Sequence, residues 1–295
     1  MSWRTVCVNS RCKLEYRMGY MVIRSENIQR VHIDEIAILI VENTAVSLTA
    51  SLINELNKKK VKIIFCNEQH NPSCELVSYY GSHNSSKCLR DQIRWTKDIK
   101  ESVWQIIIKD KINKQAQVLE INELSDKSQL LKSYIDQVDL GDLTNREGHA
   151  AKVYFNALFG KNFSRDKDCL INAALDYGYS LLLASFNREV HALGRLTQLG
   201  IWHDNTFNFF NLSSDLMEPF RPLVDQYIID QEIACSPENE LNIEKKHLLL
   251  QLLEMSLMVN GSVYKLPNAI NIYTQKIIQS LDESSLENMP IITYV

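Results

Sequence analysis

Hydrophobic periodicity changes once along this chain, at the stretch GSHNSS of residues 81–86. Before it, apolar residues alternate with polar ones. In KLEYRMGYMVIRS (13–25), Leu14, Tyr16 and Met18 share one face, with Lys13, Glu15 and Arg17 on the other, which is the period of a half-buried strand. RTVCVN, RVHIDEIAILIVE, VKIIFCN and CELVSYY read as further strands, rich in β-branched residues. One helix interrupts them, SLTASLINELNKKK (47–60), with Leu48, Leu52 and Leu56 four apart, Ser47 as the expected N-cap and Lys58 to Lys60 at its negative end.

After the break almost everything has helical spacing. Residues 87–120 place Leu89, Ile93, Ile99 and Val103 on one side, residues 168–194 form a long apolar stretch expected to be a central buried helix, and KKHLLLQLLEMSLMV (245–259) reads as another helix. The expected fold is therefore α+β: a small N-terminal β-rich domain over 1–80, a linker over 81–88 and a larger all-helical C-terminal domain over 89–295.

Composition narrows the function classes. The net charge is −4, so any contact with nucleic acid has to come from a local basic face. No apolar run is long enough to cross a bilayer; the longest, IAILIV, has six residues. The N-terminus MSWRTVCVNS lacks a signal-peptide pattern. Seven cysteines lie at 7, 12, 66, 74, 88, 169 and 235 without a C-x-x-C pair. This spacing argues against a structural zinc site and for reduced thiols in the cytoplasm.

Three stretches could carry chemistry. SSDLMEPFRPLVD (213–225) packs Asp215, Glu218 and Asp225 beside two prolines. On one helix, Leu216, Phe220, Leu223, Val224 and Tyr227 form an apolar stripe, and the acids form a second stripe beside it. Carboxylates one turn apart can reach a common cation. Asp215 could equally cap the helix while Glu218 pairs with Arg221 at i+3. In LGIWHDNTFNFF (199–210), His203 lies in a turn-like stretch twelve residues before Asp215. Imidazole with carboxylates suits Mn²⁺, whereas Mg²⁺ favours oxygen alone. In LTNREGHAAKVYFNALFG (143–160), Thr144-x-x-Glu147 has the form of a capping box. Glu147 also shares a face with Ala151, Tyr154 and Leu158, at the lip of a buried surface that Ala150 and Ala151 keep small.

NREGHAAKVYF, LGIWHDN and DLMEPFRPLVD, in that order, resemble the CRISPR-adaptation integrase family, the CRISPR-associated endonucleases that insert new spacers. The long helix with LDYGYSLL between the first two motifs matches as well, and the layout covers the whole chain. The context FNFFNLSSDLMEPFRP is similar to the branch associated with type II systems. Gly-Ile-Trp-His stands where many members have Gly-Phe-x-His after a proline turn.

The resemblance implies a metal-dependent integrase and endonuclease. It would join the 3′-hydroxyl ends of a short protospacer duplex to a CRISPR repeat by transesterification. Glu147, His203 and Glu218 would ligate Mg²⁺ or Mn²⁺, and Asp215 matches a further acidic position of the catalytic set. DNA contacts would fall to Arg221, Lys152, Arg165, Arg188 and Arg195. The implied partners are double-stranded DNA, a second copy in a homodimer, the small dimeric CRISPR-associated protein two, and a type II effector complex with an accessory adaptation protein; no membrane is implied. The same residues would also serve a stand-alone structure-selective repair nuclease that uses water. A non-catalytic scaffold, in which the acids only cap helices, is the remaining reading.

Overall fold

Alternation in the first part of the chain produces two four-stranded sheets. The strands are β1 (Arg4–Val8), β2 (Lys13–Arg17), β3 (Tyr20–Arg24), β4 (Ile28–His32), β5 (Ile36–Val41) and β6 (Ser47–Leu48), then helix α1 (Ala50–Lys58), then β7 (Lys62–Cys66) and β8 (Pro72–Leu76). The structure, a computed structural model, describes residues 4–76, 84–235 and 240–294. One sheet has the order β1-β5-β7-β8, with β1, β5 and β7 parallel and β8 antiparallel. The other has the order β4-β3-β2-β6.

β5, IAILIV, is buried at every position, because both faces of its sheet are covered. Ile36, Leu39, Val41 and Ile63 pack with Leu52 and Leu56 of α1 and with Leu14 and Met21 of the second sheet. Ala37, Ile38, Ile40, Ile64 and Cys66 face the opposite way and join the core of the helices. The helix α1 begins two residues later than expected: Ser47 lies in β6, and Thr49 is the N-cap, its hydroxyl accepting from the Leu52 N–H.

The second part is predominantly helical. Its helices are α2 (Ser85–Ile93), α3 (Lys97–Ile121), α4 (Ser125–Ile135), α5 (Arg146–Phe159), α6 (Leu170–Ala192), α7 (Asn211–Met217), α8 (Arg221–Asp230) and α9 (Ile243–Leu250), with a single 3-10 turn, Glu218–Phe220, joining α7 to α8. Of the expected linker, residues 81–83 lie outside the described residues, as does the 77–80 end of the CELVSYY strand, and Ser85 already opens α2. The expected central helix is α6, buried along most of its length. Gly178 lets it approach α8, since a Cβ there would lie 2.4 Å from Val224 Cγ1.

The chain after α9 departs from the expected helix. α9 stops at Leu250, and SLMV becomes β9 (Ser256–Val259), followed by β10 (Ser262–Lys265), helix α10 (Leu266–Glu283) and β11 (Ile292–Tyr294). The three strands form a small antiparallel sheet, β10-β9-β11, at the edge of the helical part. Leu257 and Val259 are buried while Ser256 and Met258 are less so, which is strand alternation. Asn260 and Gly261 turn the hairpin with φ of 49° and 81°, the conformation that Asn-Gly favours.

Candidate active site

Helix α3 forms the floor of a cleft. Ile107, Ile108 and Ile112 are buried in the core, and this anchors Lys111 on the same helix, itself 7% exposed. Its ammonium Nζ lies 2.5 Å from Glu147 Oε1 and 2.5 Å from Glu218 Oε2. Arg221 Nε donates to Glu218 Oε1 at 2.9 Å, the i+3 pair that the sequence suggested. Desolvation works against the Glu218 carboxylate, but Arg221 and Lys111 together hold it well below the usual range. Burial works against the Lys111 ammonium too, and Glu218 and Glu147 outweigh it, so its pKa is raised. Lys111 donates a hydrogen bond to Glu147 Oε1 and faces Glu218 Oε2 as an ion pair.

Glu147 reaches this point because another residue caps its helix. Asn145, at φ 53°, is the N-cap of α5 and accepts from the Gly148 N–H. The Asp142 carboxylate accepts from the N–H groups of Arg146 and Glu147 at 2.8 and 2.9 Å. The Thr144–Glu147 capping box is therefore not formed, and the Glu147 side chain turns to Lys111.

Asp215 and Glu218 do not converge on one point. Asp215 is fully buried in α7 and binds the loop before it. Its Oδ2 accepts from the N–H of Ile201 at 2.6 Å and of Trp202 at 3.0 Å; its Oδ1 accepts from the His203 N–H at 3.1 Å. His203 Nδ1 lies 2.5 Å from the same Oδ1. Gly200 is required for this approach, because a Cβ there would meet His203 O at 2.3 Å and Asp215 Oδ2 at 2.8 Å. The hydrogen bond with Asp215 raises the His203 pKa, with Glu218 and Glu147 adding through space. Burial raises that of Asp215, against the pull of His203. The His203 ring also packs edge-on against Trp104 of α3, 5.5 Å between centroids.

A cleft of about 260 Å³ opens beside these groups, lined among others by Lys111, Glu147, Arg165, Tyr179, Glu218 and Arg221. Tyr154 and Tyr179 donate to the two oxygens of buried Asp225 at 2.9 and 2.5 Å. Burial still pushes the Asp225 carboxyl up to about 6. The Arg221 guanidinium lies 4.7 Å from the Tyr179 ring centre and that of Arg165 lies 5.5 Å from it.

The remaining basic candidates are dispersed. Lys152 is exposed on α5. Arg188 bonds to Glu189 and to the Lys60 carbonyl, and Arg195 is buried against the Cys88 carbonyl and Asp282. The structure places these two outside the cleft. Sequence reasoning missed Lys111, Trp104 and Tyr179; it placed Tyr154 on the Glu147 face but gave it no role. For Lys111 a signal existed: Ile107, Ile108, Lys111, Ile112 and Gln115 occupy one helical face, so a lysine stands at an apolar-face position.

The donors fit a divalent cation. Two carboxylates, through one oxygen each, already meet on one cationic atom. With Nδ1–H directed at Asp215, His203 keeps Nε2 for a ligand, the arrangement in which a carboxylate orients a metal-binding imidazole. Among the described residues, Glu147, His203 and Glu218 are not drawn within 4.8 Å of one another, so binding would gather them.

A family model described as CRISPR associated protein Cas1 matches residues 6–232. The chain is 34% identical over 232 residues to the CRISPR-associated endonuclease Cas1 of Neisseria meningitidis serogroup C (strain 8013), covering 78% of this chain and 76% of that one. Two solved structures share the fold. A casposase bound to integration product superimposes with a TM-score of 0.76 at 18% identity, over 97% of this chain and 92% of that one. A Cas6-RT-Cas1–Cas2 complex gives 0.73 at 16% identity, over 97% of this chain and 36% of that longer one.

Proposed function

This chain belongs to the CRISPR-associated protein Cas1 family, and on that premise we propose that it is a divalent-metal-dependent DNA integrase and endonuclease of CRISPR adaptation. The observation that carries the reading is the convergence of Glu147 and Glu218 on the Lys111 ammonium, beside a cleft that presents Arg165 and Arg221. Glu147, Glu218 and His203 would hold Mg²⁺ or Mn²⁺. When bound, the cation supplies charge that polarises a scissile phosphate and stabilises its transition state.

The chain's own residues do the rest. Asp215 fixes the tautomer and direction of His203. Lys111 balances the paired carboxylates while no cation is present. Arg221, held by Glu218 and stacked on Tyr179, offers its remaining N–H donors to a phosphate. The attacking group is the 3′-hydroxyl of the DNA itself, so no cysteine or serine has a nucleophilic role.

The partners we propose are protospacer and repeat DNA, a second copy of the chain and the small protein Cas2, the last suggested by the complexes that share its fold. A type II effector complex and an accessory adaptation protein complete the proposed set, and the cytoplasm is the proposed compartment. Among the described residues, no helix is long and apolar enough to cross a membrane. The test is strand transfer into a repeat-containing duplex, with a 3′-hydroxyl donor and a 3′-deoxy donor compared in Mg²⁺ and in Mn²⁺. Transfer by the first donor alone supports the reading. Cleavage that is indifferent to the donor end would replace it with a hydrolytic nuclease. DNA affinity should also fall steeply with salt, since the net charge leaves only a local basic face to make contact.

A further inference from the structure

Three kinds of metal-binding donor meet outside the cleft lining, at the seam between the N-terminal sheet and the helices. Cys7 lies on β1, Glu42 follows β5 directly, and His247 projects from α9. Cys7 Sγ, a Glu42 carboxylate oxygen and a His247 ring nitrogen all lie within 4.8 Å of one another. His247 Nε2 is 2.9 Å from Glu42 Oε2, and Cys7 Sγ donates to the same oxygen at 3.5 Å. The second oxygen, Oε1, lies 3.7 Å from His70 Nδ1, in the turn after β7.

The second oxygen is the informative one. Glu42 is 1% exposed, yet its Oε1 has no hydrogen-bond partner, and neither has His70 Nδ1. An unsatisfied polar atom in the interior costs about 1–3 kcal/mol and calls for a reason. The neighbouring cation does not supply one. Lys246 directs its ammonium to the Gln69 carbonyl and lies over the Tyr177 ring, 5.8 Å from the centre. Cys7 and Glu42 also sit at the carboxyl ends of adjacent parallel strands, the end of an open sheet at which ligands bind.

We propose that Cys7, Glu42 and His247, with His70 as the fourth donor, form a binding site for a borderline-soft divalent cation of the zinc class. A thiolate, a carboxylate and two imidazoles form a donor set that zinc accepts in four-coordinate sites. Mg²⁺, which takes oxygen donors, is disfavoured here. The bound ion would join β1, β5 and the turn after β7 to α9, and so fasten the sheet to the helices. It would act on stability and not on strand transfer.

The experiment is a titration of the metal-free full-length chain with Co²⁺, then Zn²⁺, in a Glu218→Ala background that removes a principal ligand of the cleft. One equivalent of Co²⁺ should bind and give the near-ultraviolet charge-transfer band of a thiolate ligand, and Zn²⁺ should displace it and raise the melting temperature. Cys7→Ser should abolish the band, and His247→Gln should weaken Zn²⁺ binding by more than about 100-fold, since loss of even an outer-shell partner costs about 10–100-fold. His247 is partly exposed, so its variant stays informative if Cys7→Ser fails to fold. Absence of a thiolate band, or a band that survives Cys7→Ser, would overturn the proposal, as would Zn²⁺ affinity unchanged in His247→Gln. Strand transfer in the otherwise unaltered chain is read separately, so failure of the integrase reading leaves the cobalt result standing.

Discussion

The cleft and the seam each bury a carboxylate, and they treat it in opposite ways. Glu218, 4% exposed, meets two permanent cations, Lys111 and Arg221. Glu42, 1% exposed, meets a thiol and a histidine while the nearest ammonium points elsewhere. The difference follows from the elements that present them. A helical turn delivers Arg221 three residues after Glu218 at no conformational cost, and a facing helix delivers Lys111. A residue at the end of a strand has no such neighbour and depends on side chains brought by other elements. The cleft carboxylate has two cations beside it, whereas the seam carboxylate leaves Oε1 without a hydrogen-bond partner.

The largest effect that tests this contrast is on strand transfer. Glu147→Ala, His203→Ala or Glu218→Ala alone should lower it by on the order of 10²–10³-fold or more, in the range lost when one preorganised transition-state group is removed. The Glu147→Ala/Glu218→Ala double variant should be little worse than either single one, because parts of one unit are not additive. Independent, multiplying losses, or near-normal transfer in Glu147→Ala, would mean that the cleft is not one site.

Next in size is the cost of breaking the charge balance. Lys111→Met leaves two carboxylates facing each other and should destabilise the protein by about 3–5 kcal/mol in metal-free buffer. Added Mn²⁺ should restore part of the melting temperature. A variant that gains nothing from Mn²⁺ would show that Lys111 does not mark the place of the cation.

The cleft wall also holds a carboxyl without a paired cation. Asp225, bonded only by tyrosine hydroxyls, is raised from its ordinary 3.8 to about 6. Its contribution is therefore fully present below 3.8 and is lost as pH rises through about 6. Unfolding measured against pH should show wild type losing about 3 kcal/mol relative to Asp225→Asn across that window. Parallel curves would contradict the burial argument. The smallest change expected is for Glu42→Gln, about 1 kcal/mol or less in metal-free protein, because no strong ion pair is lost. A penalty as large as that of Lys111→Met would erase the distinction between cleft and seam.

The residues of the candidate site were largely legible before folding, though not their arrangement. Glu147, His203 and Glu218 stand out by motif, and the Glu218–Arg221 pair follows from helical spacing alone. Asp215 was visible as an acid but not as the residue that binds the loop at 201–203 and orients His203, since that depends on how Gly200 lets the loop close. The Thr144–Glu147 box satisfied every local rule, and Asn145 and Asp142 displaced it. The strand β9 was hidden because a run of leucines before it carried the helical pattern past Leu250, although Asn260-Gly261 marked the hairpin.

Sequence alone determined what depends on neighbours within a turn or a pleat: the N-terminal strands from period-two alternation, a buried α6 from its apolar length, and the i+3 ion pair at Glu218. Tertiary structure decided what depends on packing between distant segments. Lys111 lies 36 residues from Glu147, and no local spacing announces that its ammonium will sit between two acids. Cys7 and His247 are further apart still, and cysteine spacing carries no sign that the sheet and α9 bring thiol, carboxylate and imidazole together. The physical reason is the same in both places. Backbone geometry sets the reach of a side chain over three or four residues, whereas burial of the apolar faces around it chooses which remote charge it must meet.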